Sequence, residues 1–411
     1  MECNLKLQGE GWMKKTILIA GLAVLSTSAF ATISRMQALG QDSSKGSHYQ
    51  SDTRNIFRNA AEVNNFKNFA VTEWGQATPS ANDEATAEGG FFREMGSFAY
   101  GIYLNDQNND SDFVASATTP RGYANDNGGS NAIAMGDNNF VDNTNSVNLF
   151  FAGDMGVKWG ARVNYSKASN ETTSNNKAEY SGLGLGLGME LGDIAAYANL
   201  SLKDDYEGAT GVSAGTAQTK FEGGGLNLGV SYNLMGNTIF VDYDKKDGEY
   251  TASGVAAKNE TEQTIIEIGV GRIHEVSSTS RVMMDIAYKS SKAEDKDGTT
   301  ATNNEEVKRS ELPLAIGFET EATSWLTLRG SIKQNIFINK QEVKVGTTTT
   351  KTTRSSNTNV NAGATLNFGK LKVDGMIGTT NGSRAGAAYN QNDGVLALDN
   401  LLTKVAVHYW F

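Results

Sequence analysis

Leu401-Leu402-Thr403-Lys404-Val405-Ala406-Val407-His408-Tyr409-Trp410-Phe411 closes the chain, and its reading decides the fold. Leu401, Val405, Val407, Tyr409 and Phe411 share one face of an extended strand, and Lys404, Ala406, His408 and Trp410 share the other. The period is two. A tilted strand of about 9–11 residues crosses a bilayer, and aromatic side chains gather where hydrocarbon meets water. The expectation is a strand with one face in lipid and its end at the membrane boundary. An edge strand of a soluble sheet is the competing reading.

This pattern resembles the C-terminal recognition strand of Gram-negative outer-membrane β-barrels, which ends in Phe after apolar residues at alternate positions. The resemblance implies that Val405, Val407, Tyr409 and Phe411 are the signal read by the barrel-assembly machinery. It also implies residence in the cell outer membrane, among its lipids and lipopolysaccharide. The other end of the sequence agrees. Lys14-Lys15, an apolar run from Ile17 to Leu25 and then Ala29-Phe30-Ala31 read as a signal peptide over 1–31. Ala29 and Ala31 are its cleavage residues, and the mature chain is expected to start at Thr32. Residues 1–12 read as an upstream start-site extension. Cys3, the only cysteine, falls in the discarded part, which leaves no thiol and no disulfide.

Composition excludes the other membrane class. No stretch after Leu25 approaches the ~18 continuous apolar residues of a spanning helix. Yet the 411 residues hold 45 Gly, 17 Phe and 14 Tyr with only 3 Pro, which suits alternating strands between polar loops. A net charge of −10 argues against nucleic acid, which needs a basic face.

Period-two apolar stripes recur from about Phe91 onward. They run through Phe98–Leu104, Val147–Phe151, Val157–Tyr165, Leu183–Leu191, Ile194–Leu202, Leu226–Leu234 and Ile239–Tyr243. Ile266–Val270, Val282–Tyr288, Leu312–Phe318, Leu326–Ile332, Val360–Phe368, Leu371–Ile377 and the terminal strand follow. Short turns alternate with long polar loops over 105–145, 169–176, 203–218, 244–260, 293–305, 339–353 and 381–400. The expectation is an all-β, transmembrane, antiparallel up-and-down barrel of about 14 strands, range 12–16. The domain reading is a signal peptide over 1–31, a periplasmic or plug-like segment over 32–90 and a barrel over 91–411. Asn68–Trp74 also reads as a short strand, which either lies inside the barrel or calls for a further strand hidden in 105–145, around Ala132 to Met135, to keep the count even.

Opposite the apolar stripes stand Lys158, Arg162, Glu190, Asp242, Glu267, Asp285, Lys289, Arg309, Glu311, Arg329, Lys333, Lys372, Asp374 and Lys404. In a dry core each charge would cost several kcal/mol unless paired. These residues are therefore candidate liners of a wet pore with both signs of charge. The alternative is that they pair with one another and fill the interior. Gly182, Gly184, Gly186 and Gly188 occupy inward positions of one strand. They either permit local bending or leave room for an element folded into the barrel.

Leu39-Gly40, Asp52 and Asn55-Ile56-Phe57-Arg58-Asn59-Ala60 are similar to the N-terminal block of the long-chain fatty-acid transporter superfamily. That family places an LGxG element, an Asp and an x-F-W-N-P-A-G turn before its first strand. The resemblance implies small helices plugging a fourteen-strand barrel, and in some members import of hydrophobic molecules. Ala60 and Ala61 stand where the family's turn has Pro and Gly, and only about twenty-five residues match.

Catalytic chemistry has no visible carrier. His48, His274 and His408 lie far apart in sequence with no cysteine beside them, and no G-x-S-x-G occurs. His408 is expected to line the periplasmic mouth. Asp106–Asp112 reads as a solvated loop more readily than as a calcium site. The sequence thus gives no enzyme and no cofactor. It gives a monomeric or homotrimeric outer-membrane pore for passive diffusion of small hydrophilic solutes and ions. Import of hydrophobic compounds through a plugged barrel is the alternative, and a structural or adhesive surface barrel is a third.

Overall fold

The computed structural model describes residues 32–74, 87–106, 146–171, 177–209, 218–251, 258–353, 358–377 and 404–411. The signal peptide with Ala29 and Ala31, most of the 105–145 loop and the 381–400 loop lie outside the described residues. No described helix is long and apolar enough to cross a membrane.

Seventeen strands form one antiparallel sheet. They are β1 (Phe69–Trp74), β2 (Ala87–Met95), β3 (Phe98–Leu104), β4 (Ser146–Asp154), β5 (Lys158–Glu171) and β6 (Lys177–Leu191). Next are β7 (Ile194–Ala209), β8 (Gln218–Leu234), β9 (Asn237–Thr251), β10 (Lys258–Glu275), β11 (Ser280–Lys296) and β12 (Glu305–Thr323). The last are β13 (Leu326–Val345), β14 (Thr348–Thr353), β15 (Thr358–Phe368), β16 (Leu371–Ile377) and β17 (Lys404–Trp410). β1 pairs with β2 on one side and with β17 on the other, so the sheet closes on itself. β13 pairs with β15 along its lower half and with β14 only over Lys340–Val345, which leaves β14 outside a closed ring of sixteen.

The ring has two strands more than fourteen because both Phe69–Trp74 and Ala87–Met95 are wall strands. The wall therefore starts at Phe69 rather than at Phe91. Both are hard to read from period alone. β1 is six residues long and β2 contains Gly89-Gly90. A Cβ on Gly89 would stand 2.6 Å from the Val71 carbonyl oxygen, so the close approach of β1 requires the glycine.

The lower hairpins turn tightly. Met235 and Gly236 both take positive φ, 52° and 79°, as a two-residue I′ turn demands. Above each turn, outward apolar side chains form the belt that period two foretold. Leu228, Val230, Tyr232, Ile266, Ile268, Met284, Ile316 and Phe318 are all exposed on the outside of the ring. With no polar edge left open, a closed sheet with such a belt is a spanning structure.

Several stretches expected as long loops are strand. β9 runs on to Thr251, β11 to Lys296 and β13 to Val345, so the wall rises well beyond the belt. Outward positions there turn from apolar to charged, and the period-two hydrophobic signal vanishes while the backbone ladder continues. Cross-strand ion pairs replace it: Lys220–Glu207 at 3.2 Å, Lys296–Glu260 at 3.0 Å and Lys292–Glu306 at 3.3 Å. Exposed pairs of this kind contribute about 0.2–1 kcal/mol each. The wall is irregular where β12 meets β13. The register shifts between Glu311 and Pro313, and Phe337 opposite takes φ 57° and is 94% exposed. Pro313 has no N–H to give the ladder, which fits its place at a bulge.

Candidate functional site: a stoppered lumen with a cavity above it

Residues 32–68 run inside the ring. Thr32 caps the helix Ile33–Ala38 by accepting the Arg35 N–H at 3.0 Å. Gly40, at φ 73°, ends that helix, with Gln41 N–H donating to Met36 O at 2.9 Å and Gly40 N–H to Gln37 O at 3.0 Å. A turn of helix over Asn55–Arg58 and a 3-10 turn over Ala60–Asn64 follow. Small helices in this block are what the family resemblance implied.

Three arginines fasten this segment. Arg35 donates through Nε to Glu319 on β12 and through Nη1 to Asp52, both at 2.9 Å. The same Glu319 carboxylate receives Arg281 from β11, and Arg329 Nε of β13 lies 3.1 Å away. Arg329 also reaches Asp374 on β16 at 3.1 Å. Arg54 donates to Glu88 at 2.6 Å, to Tyr103 at 3.1 Å and to Asp106 at 3.3 Å, with its guanidinium 4.2 Å from the Phe57 ring centre. Arg58 folds the segment on itself through the Lys45 and Gly46 carbonyls. Buried ion pairs are costly to assemble and more costly to break singly, so they fix one arrangement.

Apolar contacts seal the same joint. Ile56, Phe57, Val63 and Phe66 pack on Phe69, Val71, Phe92, Tyr103 and Phe150 of β1–β4. Met36 and Leu39 pack on Met283 across the lumen. The His408 ring stands 6.1 Å from that of Phe69 with their planes nearly parallel, and His408 is fully buried. It does not line the periplasmic mouth as expected, because β1 lies beside it and the stopper lies above.

The inward glycines have a role. A Cβ on Gly160 would stand 2.1 Å from the Ala60 carbonyl oxygen, and one on Gly188 would stand 1.8 Å from Asn59 Oδ1. Gly186 instead makes room for Asn199 and Arg162, and Gly182 for Tyr180 and Ser166. Of the four glycines on β6, Gly188 thus answers to the folded-in element. Replacing Gly160 by Val is expected to displace the 3-10 turn. Protease cleavage within residues 55–66 of folded, detergent-solubilised protein would detect this, since that segment is protected in the parent.

The sequence-derived charges with described side chains point inward, but few line an open channel. Lys158 and Glu190 pair at 3.4 Å beneath Asn65. Arg162 is buried with its guanidinium 5.7 Å from the Phe57 ring, and Arg329 and Asp374 are sealed in the Glu319 network. Arg309 and Lys372 are buried as well, and Glu311 accepts from Asn335 at 3.1 Å. Lys404 opens β17 opposite Met376, and its side chain lies outside the described residues. Asp242, Glu267, Asp285, Lys289 and Lys333 come together in a cavity of about 480 Å³ between the stopper and β9–β13, on the long-loop side. The residues that sequence reasoning missed are the stopper's own: Arg35, Asp42, Lys45, His48, Tyr49 and Arg54, with Glu319 and Glu88 on the wall. Three arginines in one short stretch, facing an interior with unassigned acids, were the available signal.

At the cavity floor His48 stacks on Phe240, with ring centres 4.2 Å apart, and lies 3.7 Å from Asp242, which also accepts from Tyr197 and Asn227. Tyr49 donates to Asp285 at 2.7 Å, and Gln41 donates to the same oxygen at 2.7 Å. Lys45 reaches Asp244 at 3.3 Å. Burial, and then Arg58 nearby, push the His48 imidazole down to about 4, against the pull of Asp242. At His48 the seated form therefore binds fewer protons than a released one between pH 6.5 and 4. The His48 contribution to seating is fully present above pH 6.5 and is lost as pH falls through that window, up to roughly 3 kcal/mol, whereas burial raises Asp52 and Glu62 to about 7 and these act in the opposite sense. A His48→Gln variant is expected to lose this acid sensitivity, read as the pH dependence of thermal unfolding in detergent.

The fold and lumen define a class: a transmembrane β-barrel of the outer-membrane type, with its own N-terminal segment packed inside the ring. No protein-family model matches the chain, and no curated protein matches it. Among solved structures it is similar to a Pseudomonas aeruginosa FadL homologue, with 11% identity and a TM-score of 0.42. It is also similar to the toluene transporter TbuX of Ralstonia pickettii, with 12% identity and a TM-score of 0.36. The CymD monoaromatic hydrocarbon channel matches with 10% identity and a TM-score of 0.36. Each alignment covers 93% of this chain and 98% of the other. The likeness is one of fold.

Proposed function

We propose that this chain is an outer-membrane uptake barrel in which cargo loads above an internal stopper and passes only when the stopper shifts. One observation carries the reading: residues 32–68 are tied to the wall around the ring. Their polar contacts reach β2 through Arg54, β5 through Asn64, β6 through Asn59, β9 through Lys45, β11 through Gln41 and β12 through Arg35. This favours the plugged alternative over an open pore for passive diffusion. The cargo fits a description with both an apolar body and polar ends, since Phe240, Ile265, Ala293 and Val307 share the cavity with charged groups. Transport needs no cofactor and no catalytic residue on this reading. Val405, Val407, Tyr409 and Phe411 stay assigned to assembly, supported by the Phe411 ring lying 5.4 Å from Phe91 across the closing seam.

The test is a planar bilayer holding the full mature chain. Rare or absent ohmic steps support the proposal. Steady, discrete conductance from the unaltered chain would overturn it.

A further inference from the structure

The cavity above the stopper has an unbalanced lining. Eight carboxylates line it, from Asp42 to Glu305, against five cationic side chains. Burial leaves the His48 imidazole neutral at pH 7. Arg58 is taken up by backbone carbonyls of the stopper and Lys45 by Asp244 Oδ2. Most of the floor is satisfied in the same way. Asp242 accepts from Tyr197 and Asn227, and Asp285 accepts from Gln41 and Tyr49.

Two lining atoms stand apart. Asp244 Oδ1 and Gln263 Nε2 are both shielded from solvent, and neither meets a hydrogen-bond partner within the protein. One is an acceptor carrying negative charge and the other a donor. β9 and β10 bring them together, because Asp244 pairs with Ile265 and Lys246 pairs with Gln263. Their residues are diagonal neighbours on one face of an antiparallel pair, with Cα atoms roughly 7–8 Å apart. A small ligand with an ammonium and a nearby oxygen acceptor can bridge two side chains so placed, one hydrogen bond at each end. Ile265 and Lys246 complete the same square of side chains, and Ala293 and Val307 also line the cavity.

We propose that this cavity is a loading site for a small organic ammonium ion that bears a neighbouring oxygen acceptor and an apolar body. The ammonium sits on Asp244 Oδ1, the oxygen accepts from Gln263 Nε2, and the apolar part lies along Ile265, Ala293 and Val307. A buried polar atom left unpaired is costly, so a ligand that supplies both partners is preferred over one that supplies neither. The excess of carboxylates excludes anions from the same space. This inference rests on the stoppered-uptake reading, whose cargo class it names.

The experiment is calorimetric titration of the refolded mature chain in detergent with four matched probes. These are 2-amino-1-phenylethanol, 2-phenylethylamine, 1-phenylethane-1,2-diol and mandelate. The expected order places the amino alcohol first, the amine without oxygen weaker, the neutral diol at least tenfold weaker than the amino alcohol, and mandelate without binding. Asp244→Asn is expected to weaken the amino alcohol at least tenfold and to leave the diol unchanged. Binding of the diol or mandelate as tight as that of the amino alcohol overturns the inference, and so does absence of binding by all four. The probe series uses the unaltered chain, so it decides the question even where Asp244→Asn misfolds. Bilayer conductance of the same preparation separates the two claims. An ohmic pore that still prefers the amino alcohol defeats the stopper alone, and a silent barrel without that preference defeats the ligand assignment alone.

Discussion

Deleting residues 33–66 is expected to turn a silent barrel into a conducting one. Sixteen strands enclose a lumen wide enough for water once side chains alone line it, so conductance should rise at least about tenfold over the full-length chain. Lys158, Arg162, Glu190, Asp242 and Lys372 would then face solvent and set the ion selectivity of the exposed channel. Their mixed signs predict weak selectivity, checked by reversal potentials in a salt gradient. The deleted barrel should still insert, because the outward belt and the β1–β17 pairing are untouched. A deletion variant that folds and stays silent would remove the stopper from the explanation of closure.

Glu319→Gln is expected to have the largest effect of any single neutral substitution inside the ring. One carboxylate serves Arg35, Arg281 and Arg329, all nearly or partly buried. Making it neutral leaves three guanidinium groups around an amide that can accept at one oxygen only. Breaking a buried ionic group in this way costs about 3–5 kcal/mol. Lys292→Ala, which removes an exposed pair with Glu306, should cost under about 1 kcal/mol. Midpoints of urea or thermal unfolding in detergent compare the two. Equal shifts would mean that Glu319 is not the central tie.

The belt was legible because each crossing repeats one rule. Leu183–Leu191 and Ile194–Leu202 alternate cleanly, and the structure holds both as strands with those leucines outside. The strands above the belt were not legible. Glu260 to Gln263 and Glu305 to Arg309 carry charge on the outer face, so hydropathy gives no period there even though the backbone pairing is unbroken. β1 escaped assignment to the wall for another reason: its inward Phe69, Val71 and Glu73 face a protein stopper rather than water, so its two sides do not contrast.

The inward position of thirteen of the fourteen charges, all but Lys404, followed from period two, but their surroundings did not. Glu319 stands opposite Arg329 across a single hairpin, but that the same carboxylate also takes Arg35, 284 positions away in sequence, was not visible. Gly160 and Gly188 are similar. Their lack of a side chain was visible, whereas the Ala60 and Asn59 atoms that fill the space were not.

Only two residues, Lys67 and Asn68, separate the stopper's Phe66 from the first wall strand at Phe69. A dislodged segment on so brief a leash stays at a local concentration on the order of millimolar. Its return is then a one-body event, independent of how much protein is present. The same peptide added in solution to a barrel lacking it would have to reach comparable concentrations before it blocked current. Continuity of the chain, more than the strength of any one contact, is what would make each opening brief.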